Sequence, residues 1–343
     1  MGLSAFFCTL LASLALRGSC PVDAPPPSVD LAPPLRGEVV LRTLPGKPEL
    51  PYYLYVPEQG GRSAPLLVTV HGISRNAKAH AHAFGRLAAR HSAVVVAPQF
   101  APKVYHDYQR LGRTWMGPRS DRALERLIDH VGRLTGAATE SIFLFGYSGG
   151  AQFVHRFAMA HPERIAAAVV SSPGWYTFPD PGRWYPYGIR QTPDLPGVRF
   201  DPTAFLKVPM LVTVGEFDVA RSRSLRRSRF LDLQQGRTRL ERAERWVDAM
   251  AEAARKHELP ASVELAVLGS VHHSFRENVE RAGLAEMAVN YLMVPERLAR
   301  LRPPVEPVFA NTSLDIRPMR SPSSVLSVSK PLPAPAPVAI AAP

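Results

Sequence analysis

Short apolar runs alternate with longer segments of helical periodicity along this chain, and this alternation constrains its fold most strongly. The apolar runs lie at residues 39–41, 52–56, 66–70, 94–97, 142–145, 165–170, 210–214 and 263–268. Several of them are continuously apolar and rich in β-branched residues, which is typical of strands buried on both faces of a sheet. The alternation predicts an α/β protein with a mainly parallel sheet and helices on both faces.

The segments between these runs predict the helices. One helix should begin after Asn76 as its cap, and a second should be capped by Ser120 and ended by Gly136. Two further helices are expected at residues 239–257 and 275–292, where apolar residues recur at helical spacing.

Residues 172–207 show neither the apolar runs typical of strands nor the spacing typical of helices. Six aromatic side chains lie within residues 175–187 of this segment, among prolines and glycines: Trp175, Tyr176, Phe178, Trp184, Tyr185 and Tyr187. The aromatic content predicts an ordered irregular insert rather than a linker.

The two ends of the chain differ from its centre in their proline content. The chain has 35 prolines, which are densest near the two ends. Proline-rich segments lack backbone donors and favour extended, solvated chain, so residues 21–35 are predicted as a linker and residues 302–343 as a disordered tail. A single α/β domain is expected between them, at residues 36–301.

The first 20 residues have the pattern of a signal peptide. Residues 5–16 form an apolar run that is too short to span a bilayer but suits the hydrophobic region of a leader. Cleavage is expected near residues 13–15 or 18–20, with lipoprotein anchoring at Cys20 as the alternative. The expected location is periplasmic or secreted. Both cysteines, Cys8 and Cys20, lie in this leader, so a cleaved chain would carry no disulfide.

The net charge of +12 comes mostly from arginine, which is densest at residues 221–229. No aromatic residues alternate with these arginines and no nucleic-acid motif accompanies them, which argues against a nucleic-acid-binding function. A solvated segment that leads into a helix is the expected structure. Anionic lipid or polymer surfaces are the candidate partners that the charge suggests.

A glycine-flanked serine follows the apolar run at residues 142–145. The sequence Gly146-Tyr147-Ser148-Gly149-Gly150 leads from this run directly into a helical segment. Such a turn predicts a strained backbone that exposes the Ser148 hydroxyl as a nucleophile, and the flanking glycines remove side chains that would collide. The alternative is a serine that only caps the following helix.

Two later strands carry candidate partners for this serine just past their ends. Glu216 and Asp218 follow the strand at residues 210–214, whereas His272 and His273 follow the strand at residues 263–268. Loops at the carboxyl ends of parallel strands meet at one edge of the sheet. A serine nucleophile needs a base within hydrogen-bond reach and a third group to orient that base.

The order of serine, carboxylate and histidine resembles that of the α/β-hydrolase superfamily. The resemblance covers about residues 36–301. The segments 70–72, 146–152 and 161–166 look most like the esterase branch related to polyhydroxybutyrate depolymerases and feruloyl esterases.

The resemblance implies a role for each candidate residue. Ser148 would be the nucleophile, Asp218 the acid in preference to Glu216, and His273 the base in preference to His272. The oxyanion hole would use the backbone amides of Gly149 and Ile73, with His71 supporting the second amide. No metal or organic cofactor is required, because adjacent histidine side chains diverge and have no third ligand at metal spacing.

In this fold, an insert after the strand that follows the nucleophile helix overhangs the nucleophile. The insert is therefore expected to be a cap whose Trp175, Tyr176, Trp184 and Tyr185 bind substrate, with the core of a long insert as the alternative. The expected function is hydrolysis of carboxylic esters with an apolar or aromatic acyl group, polymeric esters included. A peptidase or acyltransferase with the same triad, or a non-catalytic binding protein, are the alternatives.

Overall fold

The computed structural model describes residues 35–59, 62–113, 115 and 117–301, the last range without the Arg300 side chain. The leader at residues 1–20, both cysteines, residues 21–34 of the linker and the tail at residues 302–343 lie outside these ranges.

Eight strands form one sheet, and each corresponds to an apolar run of the sequence. They are β1 (Val39–Leu44), β2 (Leu50–Tyr55), β3 (Leu66–Val70), β4 (Val94–Pro98), β5 (Ile142–Tyr147), β6 (Ile165–Ser171), β7 (Met210–Gly215) and β8 (Val263–Leu268). The strand order is β1-β2-β4-β3-β5-β6-β7-β8. β1 and β2 pair antiparallel with each other and β2 with β4, while all other pairs are parallel. The prediction of a mainly parallel sheet is confirmed.

Helices follow most of the strands. They are α1 (Ala77–Ala89), α2 (Ser120–Thr135), α3 (Gly149–Ala160), α4 (Pro202–Phe205), α5 (Arg229–Gln235), α6 (Arg239–Lys256), α7 (Phe275–Ala282), α8 (Leu284–Leu292) and α9 (Pro295–Leu301). No helix within the described ranges is both long and apolar enough to span a bilayer.

Successive residues of a strand point to opposite faces of the sheet. Both kinds of position are buried in the central strands, so helices cover both faces there. On β5, Leu144 packs into the core under α2, α3 and α6, whereas Phe143 and Phe145 pack into the core under α1 and α8. The prediction of helices on both faces is therefore confirmed. Burial on both faces also explains why the central strands are continuously apolar.

Three helix ends differ from the sequence prediction. Asn76 stands at the cap position of α1, but its side chain makes no capping hydrogen bond. Ser120 is the first residue of α2 rather than its cap, since its hydroxyl donates to the Tyr108 carbonyl oxygen instead. The helix expected at residues 275–292 is divided at Gly283, whose left-handed backbone ends α7. Gly136 ends α2 in the left-handed conformation, as predicted.

The insert at residues 172–207 is irregular apart from the single turn of α4. It is tied to α6 by the Trp246 indole N–H, which donates to the Thr177 carbonyl oxygen at 2.8 Å. Gln235 also exchanges hydrogen bonds with the Tyr176 backbone, at 2.8 and 2.9 Å. The insert is therefore ordered by bonds to neighbouring helices rather than by a secondary structure of its own.

Candidate active site

Ser148 lies on a tight turn between β5 and α3. Its backbone angles, φ 53° and ψ −109°, lie in a region that residues other than glycine rarely adopt. It stands at the cap position of α3 but makes no capping hydrogen bond with its side chain, and the Oγ atom lies 3.0 Å from Nε2 of His273. The helix-cap alternative is therefore not what the structure shows.

Two glycines make this turn sterically feasible. A Cβ atom on Gly150 would lie 2.0 Å from the Val70 carbonyl oxygen, and one on Gly146 would lie 2.4 Å from the Gly150 carbonyl oxygen. Both contacts are with backbone, which cannot swing aside. The start of α3 consequently packs directly against the carboxyl end of β3.

His273 bridges the serine to a buried carboxylate. Its Nδ1 atom lies 2.7 Å from Oδ2 of Asp218, whose side chain is only 1% exposed. A carboxylate accepts, so Nδ1 donates, and Nε2 is left to accept a hydrogen bond from the Ser148 hydroxyl. The Tyr147 ring stacks beside the imidazole with centroids 5.4 Å apart. The structure thus brings together Ser148, Asp218 and His273.

The two neighbouring alternatives have other partners. The Glu216 carboxylate accepts a hydrogen bond from the Ser270 backbone amide at 2.8 Å, which orders the loop that carries His273. His272 is exposed, and its Nδ1 atom lies 3.5 Å from the Glu277 carboxylate. Neither residue contacts Ser148 within the described part of the chain.

Asp218 also has a cationic partner on its other side. Nη1 of Arg239 donates to Oδ1 of Asp218 at 3.0 Å, and both side chains are 1% exposed. A second guanidinium nitrogen of Arg239 donates to the Ser224 hydroxyl at 2.9 Å. The Asp218 carboxylate is therefore held at both of its oxygens.

Gly149 and Ile73, which sequence reasoning assigned to the oxyanion hole, lie side by side next to Ser148. A Cβ atom on Gly149 would be 3.1 Å from Cγ2 of Ile73, and one on Gly72 would be 3.4 Å from Cβ of Ser148. Gly149 is the first residue of α3, so its amide has no acceptor within the helix and carries the positive end of the helix dipole.

His71 fixes the loop that carries the Ile73 amide. Its Nδ1–H donates to the Gly72 carbonyl oxygen at 2.8 Å, while Nε2 accepts from the Phe100 amide at 3.1 Å. The hydroxyl of Tyr108 donates to the His71 carbonyl oxygen at 3.0 Å. Burial lowers the pKa of His71 to about 4, so the ring is neutral at physiological pH, as this pattern of one donor and one acceptor requires. The structural role expected for His71 agrees with these contacts.

A cavity of about 340 Å³ opens beside Ser148 and His273. Its apolar lining comes from Ile73, Tyr147 and Phe275. Ser224, from the loop after β7, closes another side. This volume suits a small acyl group or one unit of a polymer chain.

The four aromatic residues assigned to substrate binding are not among the residues that line this cavity. Tyr176 stacks on Trp246 in the core, and Tyr185 donates its hydroxyl to the Arg110 carbonyl oxygen. Trp184 is 53% exposed and packs against Arg190. Trp175 is buried beneath arginine side chains. Each of the four instead has a packing or hydrogen-bond partner outside this cavity.

Sequence reasoning missed Arg239, which is the first residue of α6. A weak signal was present, because cations are unfavourable at the positive end of a helix dipole. An arginine at that position indicates a carboxylate partner elsewhere. The pattern could not say that this partner is Asp218, since the contact is tertiary.

A parallel sheet that carries a serine, a carboxylate and a histidine on the loops at its carboxyl edge defines the α/β-hydrolase class of protein. Comparison of the sequence with models of protein families and with curated proteins gives no match. The comparison with solved structures gives many.

Two similar structures share 26% sequence identity with this chain. One is poly(aspartic acid) hydrolase-1 from Sphingomonas sp. KT-1, with a TM-score of 0.61 over 70% of this chain and 95% of that one. The other is LpqC, a poly(3-hydroxybutyrate) depolymerase from Bordetella parapertussis, with a TM-score of 0.59 over 74% of this chain and 88% of that one. An S-formylglutathione hydrolase from Agrobacterium tumefaciens, at 16% identity and a TM-score of 0.51, shares the fold over 76% of this chain and 95% of that one.

The chain belongs to the α/β-hydrolase superfamily, and the structures that it resembles are esterases and related hydrolases. The sequence-based resemblance to the depolymerase branch is confirmed.

Proposed function

We propose that this protein is a serine hydrolase that cleaves carboxylic esters through an acyl-enzyme on Ser148. The observation that carries the proposal is the pair of hydrogen bonds through His273, 3.0 Å to Ser148 and 2.7 Å to Asp218. These are the distances at which a base removes a proton from a hydroxyl group and is oriented by a carboxylate.

In the first half of the reaction, His273 takes the proton of the Ser148 hydroxyl through Nε2 while Oγ attacks the ester carbonyl carbon. Asp218 accepts from Nδ1 throughout, which keeps Nε2 facing the serine and stabilises the imidazolium that forms. The alcohol then leaves with the proton from His273. In the second half, His273 activates water in the same way, and the carboxylic acid is released.

The amides of Gly149 and Ile73 are proposed to bind the oxyanion of the tetrahedral intermediates. The position of Gly149 at the N-terminus of α3 adds the positive end of the helix dipole to its N–H. The His71 bond to the Gly72 carbonyl oxygen orients the peptide group whose other end is the Ile73 amide. Both donors are thus held in place before substrate arrives.

The proposed substrate is an ester with an apolar acyl portion, polymeric esters included. Ile73, Tyr147 and Phe275 give the cavity beside Ser148 its apolar lining. The two relatives at 26% identity are a depolymerase and a polymer hydrolase, which supports a polymer chain as substrate.

Labelling with a fluorophosphonate probe tests the nucleophile. We expect wild-type protein to be labelled stoichiometrically and to release 4-nitrophenol from 4-nitrophenyl butyrate, with Ser148→Ala inactive in both assays. The matched control is Ser224→Ala, which removes another hydroxyl that lines the same cavity and should still be labelled. Equal labelling of wild type and Ser148→Ala would refute the proposal.

Amide cleavage is the second candidate, because the relative from Sphingomonas is named for poly(aspartic acid), a polymer joined by amide bonds. Parallel assays on the 4-nitrophenyl ester and the 4-nitroanilide of the same acid separate the two activities. We expect kcat/KM for the ester to exceed that for the anilide by at least a hundredfold. Comparable values would favour the amidase.

Export is part of the proposal and rests on the apolar run at residues 5–16. Expression of the full chain, followed by mass measurement of the protein recovered outside the cytoplasm, tests it. Loss of about the first 20 residues is expected, whereas an intact cytoplasmic chain would contradict export.

A further inference from the structure

Three arginine side chains converge on a single buried indole near the start of the insert. The Cζ atoms of Arg156, Arg226 and Arg110 lie 4.3, 5.4 and 5.7 Å from the centre of the Trp175 ring. These four residues are called the Trp175 cluster below. Each guanidinium belongs to a different part of the chain: the turn before α2, helix α3 and the loop after β7.

Arg156 is the innermost member and is fully buried. Its Nε donates to the Thr177 hydroxyl at 2.9 Å, and its Nη1 donates to the Gln109 and Gln152 carbonyl oxygens at 2.7 and 3.1 Å. Its Nη2 is buried with no hydrogen-bond partner among the described residues. A buried, unpartnered guanidinium N–H is costly, because hydrogen bonds to charged groups are among the strongest that proteins make.

The positive charge of the cluster is only partly neutralised. Asp107 is the nearby acid, and it is shared by Arg113 at 2.7 Å and Arg110 at 3.5 Å. No carboxylate of the described residues lies within ion-pair distance of Arg156 or Arg226. The Arg226 guanidinium group donates instead to the neutral Tyr187 hydroxyl at 3.3 Å.

Burial is the main cause that lowers the pKa of Arg156 to about 10; the charges of Arg110 and Arg226 act in the same direction, whereas Tyr185 and Asp107 oppose it. The guanidinium remains charged at neutral pH. An anion placed among these three groups would relieve both the mutual repulsion and the missing hydrogen bond.

The cluster lies close to Ser148. Arg156 belongs to the helix that starts directly after the serine, and its Nη1 donates one turn back to Gln152, roughly 6 Å along the helix axis from Ser148. The same Nη1 donates to the Gln109 carbonyl oxygen, and Nε2 of Gln109 lies 2.8 Å from where a Cβ atom on Gly149 would stand. The cluster is thus one side chain away from the proposed oxyanion amide.

We propose that the Trp175 cluster is an anion subsite that binds a carboxylate group carried by the substrate chain. This inference rests on the proposed function, and it adds that the preferred substrate bears a carboxylate at a distance from the ester that is cleaved. The guanidinium fork matches the geometry of a carboxylate, and the Trp175 ring holds the three guanidinium groups near one another through cation–π contacts. Arg226 is the exposed member of the cluster through which the subsite meets solvent.

Arg156 and Arg110 also have structural bonds, so Arg226 is the residue that separates binding from folding. Arg226→Gln keeps the side-chain stem and removes the charge. The matched control is Arg223→Gln, which alters an exposed arginine of the same loop that is not part of the Trp175 cluster.

Binding is measured by calorimetry on Ser148→Ala protein with a ten-residue aspartate peptide, a neutral ten-residue Gly-Ser peptide and a ten-nucleotide single-stranded DNA. We expect the aspartate peptide to bind tightest. Arg226→Gln in the same background should weaken its binding about tenfold, the loss of roughly one charge-assisted hydrogen bond. Arg223→Gln should change it less than twofold.

Turnover should show the same preference. The 4-nitrophenyl monoester of adipic acid and 4-nitrophenyl hexanoate have acyl chains of equal length that end in a carboxylate or a methyl group. The ratio of their kcat/KM values should exceed one in wild type, fall about tenfold in Arg226→Gln and stay unchanged in Arg223→Gln.

Equal losses in the two arginine variants would refute the subsite, because diffuse surface charge would then explain binding. DNA binding as tight as that of the aspartate peptide, with the same dependence on Arg226, would also overturn the assignment to carboxylate. The calorimetry needs no turnover, so absent fluorophosphonate labelling would contradict the proposed function and leave the test of the subsite intact.

Discussion

At the scale of single residues, the Asp218 carboxylate is held in place by two hydrogen-bond donors, one on each oxygen. His273 occupies Oδ2 and Arg239 occupies Oδ1, and the carboxylate is almost fully buried. Removal of one member of a buried ion pair leaves an uncompensated charge, which is more damaging than the absence of both. In the proposed mechanism, Arg239 is therefore a positioning residue that acts on Ser148 through Asp218 and His273.

We predict that Arg239→Met lowers kcat at least tenfold with little change in KM, and lowers the free energy of unfolding by about 3 kcal/mol. Steady-state kinetics and urea unfolding measure the two effects. Arg239→Lys should recover part of kcat, because an ammonium can still approach Oδ1.

The double variant Asp218→Asn/Arg239→Met separates catalysis from stability. It should regain most of the stability lost in Arg239→Met, since no buried charge is left alone, yet its kcat should stay low because the neutral amide cannot stabilise the imidazolium. Recovery of kcat together with stability would show that Arg239 has only a structural role.

At the scale of secondary-structure elements, the start of α3 is held against β3 by backbone contact. A Cβ atom on Gly150 would meet the Val70 and His71 carbonyl oxygens at 2.0 and 2.6 Å. The turn at Ser148 and the loop with the Ile73 amide therefore keep a fixed separation.

Gly150→Ala should lower the free energy of unfolding by about 4 kcal/mol or more, because neither strand nor helix can yield by the distance required. Circular dichroism during urea titration provides the measurement. Gly269→Ala is the control, since its nearest contact would be the Glu216 side chain at 3.9 Å, and its effect should stay within about 0.5 kcal/mol. A folded, fully active Gly150→Ala protein would contradict the close-packing argument.

The elements themselves were predictable where the signal is local. All eight strands coincide with apolar runs, and the signal is strongest in the central strands, where burial on both faces leaves a continuous apolar pattern in consecutive residues. The prediction that Ser120 caps α2 was wrong, because its hydroxyl donates to the Tyr108 carbonyl oxygen, which is a tertiary contact. The proximity of Ser148 and His273 could be expected from strand order, whereas the Arg239 pair and the arginines around Trp175 depend on loops whose paths no periodicity encodes.

At the scale of the whole molecule, three histidines with completely buried side chains couple folding to pH. Burial is the main cause that lowers the pKa of His71 to about 4 and those of His80 and His155 well below the usual value. In the unfolded chain these rings take up protons near pH 6.5, whereas the folded protein excludes them. Stability is therefore fully present above pH 6.5 and falls as the pH drops toward 4.

Between pH 7 and pH 5, His71 alone should lower the free energy of unfolding by about 2 kcal/mol. Urea denaturation at the two pH values measures this difference. It should shrink by about that amount in His71→Asn and stay unchanged in His82→Gln, which alters an exposed histidine of the same protein. An unaltered pH dependence in His71→Asn would show that this ring does not exclude the proton.

The bond between Arg239 and Asp218 joins the start of α6 to the loop after β7, and so closes residues 219–238 into a loop anchored at its base. Substitutions inside that loop can alter the lining of the cavity beside Ser148 while the bond between Arg239 and Asp218 keeps the carboxylate in place. The loop contains Ser224 beside the cavity and Arg226 above Trp175. A lineage that retains the two anchoring residues can therefore acquire a new substrate preference by exchanging this loop, and it inherits the cleavage chemistry unchanged.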